Sequence, residues 1–394
     1  MKIVDVAEFY AERGGGVKIY IDQKLKAADA HGHELLIIAP GTHDHIERRG
    51  SHGRIAWVAS PPLPVDPRYR LLLRERAVHK LLDEEHPDII EGSSPWTGGQ
   101  FVGRYRAASS SNGVSRVRKT FIFHTDAVAV YGQTLLDKWL DTRRIDQLWK
   151  PYWGYLRRLS HQFDATVVSG AWLAERLAHQ GIQRPLTVPF GVDKATFMAA
   201  KPDPALRAEL LAKANAAPDA ALLVTVSRHH PEKRLGTLLR AVELLAARRP
   251  VALVMYGDGP LAAWSAMRAR GLPVHMAGLT RDRELLSRVL ASADALLHGS
   301  SAETFGLVVA EALCAGLPLV VPNSGGAAEL ARPAYSETYA AGDAEACAAA
   351  VDRLLARDPA QLKRACREAA QTSVLSQTDH FTRLFATYAE LIQS

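Results

Sequence analysis

The chain has 394 residues, 47% of them hydrophobic and 23% charged, a composition typical of a soluble globular protein long enough for two domains. It contains no apolar run of the roughly 18 residues that a membrane span requires. Its three cysteines have no pairing pattern, which argues against a disulfide framework. The formal net charge of +6 is compatible with nucleic acid, an anionic bilayer or a phosphorylated substrate as partner.

Short apolar runs alternate with helical patterns through the first half of the chain. The N-terminus enters a strand directly, without a signal-peptide pattern, so we expect a cytoplasmic protein. Repeated strand–helix–strand units predict a parallel sheet with helices on both faces. The predicted strands are Ile3–Val6, Leu35–Ala39, Ile55–Val58, Asp88–Glu91, Phe121–His124 and Thr166–Ser169, and the helices include Val17–Ala30 and Leu71–Glu85.

The second half repeats this α/β pattern. Between the halves, VPFGVD at 188–193 and the Pro- and Ala-rich stretch Lys201–Ala221 that follows it interrupt both periodicities and are predicted to form a linker. We predict two Rossmann-like domains, at 1–195 and 196–375, followed by a helix at 376–394, with ligands bound at the carboxyl ends of the sheets. The predicted strands of this half are Leu222–Ser227, Val251–Tyr256, Val274–Ala277, Ala295–His298 and Leu319–Val321, and the closing amphipathic helix is His380–Ile392.

Three glycine turns follow predicted strands. Gly14, Gly15 and Gly16 open the first helix, where a backbone without Cβ atoms and a helix N-terminus suit a phosphate. The spacing is not GxGxxG, so a dinucleotide-dependent dehydrogenase loses its main support. A flexible turn explains these glycines equally well. For GDGP at 257–260, an ordinary strand-to-helix connection is the better interpretation, and NSGG at 323–326 opens a later helix.

A charged segment, SRHHPEKR at 227–234, follows the first strand of the second half. Arg228 offers a planar fork of donors and Lys233 a mobile point charge. Together they suit a diphosphate leaving group, whose negative charge grows as the sugar bond breaks. A solvated turn is the alternative for this segment taken alone.

Two acidic residues, Glu303 and Glu311, are eight positions apart around the start of a predicted helix. The helix covers the apolar run Leu307–Ala315, and Gly316 is predicted to end it as a C′ glycine. Amides at the helix N-terminus can bind a donor phosphate or sugar oxygen, and the carboxylates can accept hydroxyl hydrogen bonds. Two acids on one loop-helix unit do not suggest a paired-carboxylate hydrolase, although the helix dipole alone would favour acids here.

The sequence FHTD at 123–126 ends a strand of the first half. His124 can contact a transferred sugar or an acceptor hydroxyl, with Asp126 orienting it, or it can be a structural histidine at a strand end. The other histidines show no metal-ligand spacing with acids or cysteines. We therefore expect no bound metal.

Taken in order, these motifs resemble those of the family 4 retaining glycosyltransferases of GT-B fold, across nearly the whole chain. The set consists of the early glycines, FHTD, VVSG at 167–170, VPFGVD at 188–193, SRHHPEK, GDGP, the E-x7-E pair and NSGG. The resemblance implies an α/β fold of two facing Rossmann-like domains and a final helix that crosses back to the first. It also implies an acceptor domain followed by a nucleotide-sugar donor domain, and transfer with retention. One departure is HGSS at 298–301, where many relatives have Pro-Ser, and it bears on donor selectivity.

The resemblance also implies roles for individual residues. Catalytic roles fall on His124, Arg228, Lys233 and Glu303. Donor-binding roles fall on Gly15, Gly16, Arg228, Lys233, Glu303, Thr304, Phe305, Gly306 and Glu311. In these assignments Arg228 and Lys233 neutralise the diphosphate, Glu303 accepts sugar hydroxyls, Glu311 binds the ribose and His124 faces the transferred sugar.

The segment Trp139–His161 mixes aromatic and basic side chains, as bilayer interfaces favour. It resembles lipid-directed members of the family such as sulfoquinovosyl- and mannosyltransferases. We expect a lipid or lipid-linked acceptor reached by peripheral docking on the inner face of the cell membrane. Packing of these aromatics against the first domain is the alternative. The acceptor-side candidates are His124, Asp126, Tyr131, Trp149 and Trp153.

Other function classes stay open at this point. The same chemistry can act on a soluble sugar or small metabolite, with either a UDP or a GDP donor. A non-catalytic nucleotide-sugar binding module is the alternative of another class. A phosphorylase would need a pyridoxal-phosphate lysine site that we do not find, and no nucleic-acid motif is present.

Overall fold

The computed structural model describes residues 1–11, 16–64, 66–107, 117–136, 139–183 and 185–394, with the backbone only at 66–68. The chain divides into two compact units. The first contains residues 1–124, 148–189 and 378–394, and the second contains 125–147 and 190–377. Gly14 and Gly15, to which we assigned a phosphate role, lie outside the described residues.

The first unit is built on a sheet of eight strands in the order β10-β9-β8-β7-β1-β2-β4-β3. Every neighbouring pair is parallel except β3 with β4. A separate short hairpin pairs β5 with β6. The strands are β1 Lys2–Val6, β2 Glu34–Gly41, β3 His45–Arg49, β4 Gly53–Ala59, β5 Pro62–Leu63, β6 Asp66–Arg70, β7 Ile89–Gly92, β8 Arg118–Phe123, β9 Ala165–Val168 and β10 Pro185–Thr187.

Helices follow β1, β6, β7, β8 and β9, whereas β2, β3, β4 and β5 each lead directly into the next strand. A π-helix at Val128–Gln133 precedes α4, and both belong to the 125–147 segment of the second unit. The helices of the first half are α1 Gly16–Ala30, α2 Glu75–Glu85, α3 Thr97–Arg104, α4 Thr134–Leu136, α5 Thr142–Leu148, α6 Lys150–Ser160 and α7 Ala171–His179.

The second unit has a six-stranded parallel sheet in the order β14-β13-β12-β15-β16-β17. Three of its inner strands, at Val251–Tyr256, Ala295–Leu297 and Leu319–Pro322, are continuous apolar runs that are buried throughout, as expected for strands covered on both faces. The strands of this unit are β11 Gly191–Val192, β12 Ala221–Val226, β13 Val251–Tyr256, β14 Val274–Gly278, β15 Ala295–Leu297, β16 Leu319–Pro322, β17 Ser336–Tyr339 and β18 Leu375–Ser376.

One helix of this unit, at Pro204–Lys213, lies in the Lys201–Ala221 part of the predicted linker, so that part of the prediction is wrong. The two units divide between residues 189 and 190, within the 188–193 part. Asp203 caps α9 by accepting from the Leu206 amide, and Leu210 and Leu211 are buried in the unit's core. The helices are α8 Lys194–Ala199, α9 Pro204–Lys213, α10 Leu235–Ala246, α11 Ala262–Arg268, α12 Arg283–Ser292, α13 Leu307–Ala315, α14 Gly326–Glu329, α15 Ala344–Leu355 and α16 Pro359–Ser373.

The last helix, α17 at Gln377–Gln393, packs with the first unit. Phe381, Leu384, Phe385 and Tyr388 are buried in one core cluster with residues of β1, α1 and β2. The predicted helix at His380–Ile392 therefore forms, and its apolar stripe is buried against the N-terminal strands.

Candidate active site

The carboxyl ends of β12 and β15 bring two of the predicted residues together. Lys233 follows β12 in a single 3-10 turn at Pro231–Lys233, and Glu303 follows β15. The Lys233 ammonium donates to Oε1 of Glu303. The side chains are 13% and 23% exposed, so this pair across 70 residues is partly desolvated, unlike a surface ion pair.

Electrostatics keep Glu303 ionised. Burial acts to raise the pKa of this carboxyl, but the positive charges of Lys233 and Arg228 act against it, and the net pKa is lowered. Nε2 of His298 lies 4.0 Å from the same oxygen, Oε1. The site is therefore a carboxylate with a cation in contact, ready to accept hydrogen bonds from hydroxyl donors.

Glycines allow the loop around Glu303 to pack against the turn after β16. The Gly326 amide donates to the Glu303 carbonyl at 2.6 Å. A Cβ on Gly326 would lie 2.4 Å from the Thr304 carbonyl carbon, and one on Gly325 would lie 2.4 Å from the Ser301 oxygen. The NSGG turn thus fixes the acidic loop by close backbone contact.

The helix that begins beside this loop has the predicted bounds. Gly306 precedes α13 with φ 89°, and Gly316 follows it with φ 76° in the left-handed region, which confirms Gly316 as the terminating glycine. Phe305 is buried, and its ring contacts Phe190 edge-on with centroids 5.8 Å apart. The amides of Phe305 and Gly306 belong to the segment immediately before α13.

Arg228 lies at the same end of the sheet but is open to solvent, with a side chain 76% exposed. Its guanidinium is 3.3 Å from Glu232, which is buried and also contacts His230. Glu232 therefore orients the Arg228 guanidinium through this contact and leaves most of its N–H donors available to an anion.

Glu311 forms a separate pair. It is buried on α13 and accepts a hydrogen bond of 2.5 Å from Arg283 at the start of α12. Burial raises the pKa of Glu311 against the opposing effect of Arg283. Glu311 and Glu303 are thus held by different cations, on different parts of the same unit.

In the first unit, His124 follows β8. Its ring lies edge-on to Tyr20, with centroids 6.0 Å apart. Burial, then His380 and Lys24, lower the pKa of His124 to about 3, so the imidazole is neutral at physiological pH. A neutral ring can contact a sugar hydroxyl, as its predicted role requires. Gly16 is the first residue of α1 and has open space around its Cα.

The acceptor-side candidates have different environments. The carboxylate of Asp126 is buried and accepts from the amides of Val128 and Ala129 at 2.9 and 3.0 Å, so it caps the π-helix. Tyr131 is exposed and Trp149 partly exposed, but Trp153 is 1% exposed with the Arg176 guanidinium 5.2 Å from its ring centroid. An interfacial or acceptor-contacting role for Trp153 is therefore wrong, because the ring packs in the core.

Exposed apolar and basic side chains do occur in this part of the chain. In the second unit's segment 125–147, Leu135 is 64% and Trp139 73% exposed. In the first unit, α6 presents Lys150, Arg157 and Arg158 to solvent. No helix among the described residues is long and apolar enough to cross a bilayer.

Three residues of this site were not assigned a role from the sequence. Arg283 is an ordinary charged residue in a first helical turn, and nothing in its spacing indicates Glu311. Glu232 was part of the charged segment without a role, and His298 was noted only within the HGSS departure that bears on donor selectivity, with no contact assigned to its ring. No group of three or more potential metal ligands occurs in the described parts of the chain.

The chain is similar to known glycosyltransferases in both halves. Residues 14–196 match the family model described as Glycosyltransferase Family 4, and residues 207–373 match Glycosyl transferases group 1. A GDP-mannose-dependent alpha-(1-6)-phosphatidylinositol dimannoside mannosyltransferase of Mycobacterium tuberculosis is 31% identical over 376 residues, covering 94% of this chain and 92% of its own. Sulfoquinovosyl transferase SQD2 of Arabidopsis thaliana is 28% identical over 300 residues, 75% of this chain and 54% of its own.

Solved structures share the fold. Sucrose-phosphate synthase from Thermosynechococcus elongatus superposes with a TM-score of 0.73 at 19% identity, covering 100% of this chain and 98% of its own. The Anabaena protein HepE in complex with UDP-glucose has a TM-score of 0.68 at 16% identity, with coverage of 100% and 99%. These structures confirm the predicted α/β fold class.

Proposed function

Because the chain belongs to the family 4 glycosyltransferases of GT-B fold, we propose that it transfers mannose from GDP-mannose to a hydroxyl of a lipid-linked acceptor, with retention and without a metal ion. The GDP-mannose donor and the glycolipid acceptor rest on the activity of the mycobacterial relative, whose length the chain matches almost fully. A mannosylated phosphatidylinositol is the acceptor class that this likeness favours.

One observation carries the proposal: the Lys233 ammonium and the Glu303 carboxylate are in contact at the carboxyl end of the second sheet, with the exposed Arg228 at the same end. Ligands bind at this edge in open parallel sheets. A nucleotide-sugar donor would contact both members of the pair, with its diphosphate on the Lys233 ammonium and its sugar hydroxyls on the Glu303 carboxylate. The contact between them in the described structure is the arrangement that donor binding would replace.

In the proposed reaction, the bond between the anomeric carbon and the diphosphate oxygen breaks as the bond to the acceptor oxygen forms on the same face. The acceptor proton passes to the leaving phosphate oxygen, so no side-chain nucleophile is needed. Arg228 and Lys233 neutralise the developing charge on the diphosphate. Since these two side chains supply the positive charge, the proposal requires no divalent cation.

Binding of GDP-mannose and its turnover test this proposal. Thermal stabilisation and transfer are measured across GDP-, UDP-, ADP- and dTDP-sugars, with EDTA in parallel samples and a mannosylated phosphatidylinositol as acceptor. We expect that, among these nucleotide sugars, only GDP-mannose raises the melting temperature of the protein. With the acceptor present, it should form an α-mannoside even in EDTA. Loss of transfer in EDTA would contradict the metal-independent mechanism, and a β-linked product would contradict retention.

The acceptor class is tested separately. Transfer to soluble mannosides or inositol phosphates at a kcat/KM equal to that with the lipid would favour a soluble acceptor. Specific binding of GDP-mannose without turnover of any acceptor would favour the non-catalytic binding module. Two separate features support the lipid. The basic side chains of α6 in the first unit suit an anionic surface, and the exposed Leu135 and Trp139 of the second unit suit the apolar side of a bilayer interface.

Flotation with anionic liposomes measures the proposed peripheral contact. We expect binding at low salt that weakens as ionic strength rises, since basic residues near an anionic surface contribute about 1 kcal/mol each. The double variant Arg157→Glu, Arg158→Glu is expected to bind at least tenfold less. The matched control Arg268→Glu, Arg270→Glu changes the same charge on exposed residues of the second unit. An equal loss of liposome binding in both double variants would contradict the proposal that α6 contacts the membrane surface.

A further inference from the structure

His298 is a buried histidine beside the Lys233–Glu303 pair, and the proposed reaction assigns it no role. It follows β15, is 2% exposed, and its Nε2 lies 4.0 Å from Oε1 of Glu303. Its backbone is fixed on both sides, because its amide donates to the Val320 carbonyl at 2.9 Å and its carbonyl accepts from the Tyr339 hydroxyl at 2.6 Å. The ring therefore occupies a defined place beside the carboxylate.

The hydrogen bonds of the ring determine which nitrogen is the acceptor. A bond to the Ser300 backbone acts to raise the pKa of His298, as a ring N–H donating to a carbonyl does. Nε2 has no hydrogen-bond partner in the described part of the chain, so the bond to Ser300 is made by Nδ1. Burial is the largest effect and lowers the pKa to about 4. The ring is neutral, and Nε2 presents a lone pair.

A buried acceptor nitrogen beside a partly buried carboxylate needs a hydrogen-bond donor. In the described structure the Lys233 ammonium covers Oε1 of Glu303. When a diphosphate draws Lys233 away, Oε1 and Nε2 become two acceptors 4.0 Å apart, a spacing that two neighbouring ring hydroxyls can meet. We propose that Nε2 of His298 accepts a hydrogen bond from a hydroxyl of the transferred sugar, next to the hydroxyl that Glu303 accepts, and thereby sets donor-sugar specificity. This inference rests on the proposed function.

The test compares GDP-mannose with its 2-, 3-, 4- and 6-deoxy analogues in the wild-type protein and in two variants. His298→Asn can keep a donor near Nδ1 and removes the acceptor at Nε2, whereas His298→Gln places an amide oxygen near Nε2. In the wild type, we expect two deoxy donors to lose about 10- to 100-fold in kcat/KM, one for each acceptor. In His298→Asn one of these penalties should fall to within about threefold of unity, and His298→Gln should restore part of it.

The results that overturn the inference are distinct from those that overturn the proposed function. If His298→Asn retains every wild-type penalty, His298 contacts no sugar hydroxyl. If the wild type neither binds nor turns over any nucleotide sugar, both proposals fail. A measurement without substitution covers the case of a variant that does not fold: the ¹⁵N chemical shift of Nε2 in wild-type protein should change with GDP-mannose beyond its change with GDP, and equal shifts would overturn the inference.

Discussion

Lys233 pairs with Glu303 in the structure and is proposed to stabilise the leaving diphosphate during the reaction. Its ammonium contacts Glu303 in a partly buried site, and in the proposed reaction it moves to the diphosphate. Lys233→Ala should lower kcat/KM for GDP-mannose by about 10²- to 10³-fold, the usual loss when one preorganised charge is removed from a transition state. The measurement is GDP release with the fold checked by circular dichroism.

Lys213→Ala is the matched control for this substitution. Lys213 pairs with Glu209 one helical turn away at 2.6 Å, with both side chains more than half exposed, so its loss should change kcat/KM by less than about twofold. If Lys233→Ala also retains activity within twofold, Lys233 does not stabilise the leaving group.

At the residue scale, the sequence identified the charged side chains but not what they contact. Lys233 was recognisable because its charged segment follows a predicted strand, and Glu303 because it lies just before a predicted helix. The carboxyl ends of parallel strands meet at one edge, which is where the two side chains come together. Arg283 was not, because a first-turn arginine is common and its contact with Glu311 depends on how α12 packs beside α13. Trp153 was placed at an interface because its segment mixes aromatic and basic residues and resembles lipid-directed family members, and only packing shows that it is buried.

At the element scale, helix bounds could be predicted where a strong apolar periodicity ends at a glycine. The helix at Leu307–Ala315 has the predicted bounds because an apolar run ends at Gly316, which adopts the left-handed region. The helix α9 was missed because Pro204 and nearby alanines resemble a linker, although Pro is well tolerated in a first helical turn. Its apolar contacts, through Leu210 and Leu211, are visible only once the unit's core is formed.

The contact between the NSGG turn and the acidic loop gives a second prediction. Gly326→Ala should lower the free energy of unfolding by about 2–3 kcal/mol, because the new methyl would collide with the Thr304 and Phe305 backbone at 2.4 and 2.5 Å. It should also raise the KM for GDP-mannose, since the loop carries Glu303. Urea unfolding and initial rates measure the two effects.

Gly154→Ala provides the control for an added methyl group. Gly154 lies within α6, where the nearest atom to the new Cβ would be 3.7 Å away, so Ala should be neutral or stabilise by up to about 1 kcal/mol. A Gly326→Ala protein as stable and active as Gly154→Ala would show that the turn does not constrain the acidic loop.

At the scale of the whole molecule, the first unit buries charged and titratable groups that its sequence pattern would place at the surface. Lys24 of α1 is fully buried and pairs with Asp5 at 2.8 Å and with Glu91. Asp5 and Glu91 are direct neighbours on the parallel strands β1 and β7. Helical periodicity alone indicates that a lysine is solvated, and only the sheet register shows two carboxylates that require it.

Buried neutral histidines make the chain sensitive to acid. Burial lowers the pKa of His380 to about 4, and its ring bonds the Pro189 carbonyl at 2.7 Å and the Tyr20 hydroxyl at 3.1 Å. Burial also lowers the pKa values of His124 and His298. Below a pH of about 6.5 the unfolded chain binds protons at these positions while the folded chain does not, so stability falls with pH until the folded pKa is reached.

The contribution of His380 to this acid sensitivity is measurable. From pH 7 to pH 5, each such histidine lowers the free energy of unfolding by about 2 kcal/mol. His380→Gln should reduce stability at pH 7 through altered hydrogen bonds but shrink the difference between pH 7 and pH 5 by about that amount. His52→Gln, at an exposed histidine of the same unit, should leave the difference unchanged. Urea unfolding at both pH values measures it, and a full pH difference in His380→Gln would show that His380 is protonated in the folded chain.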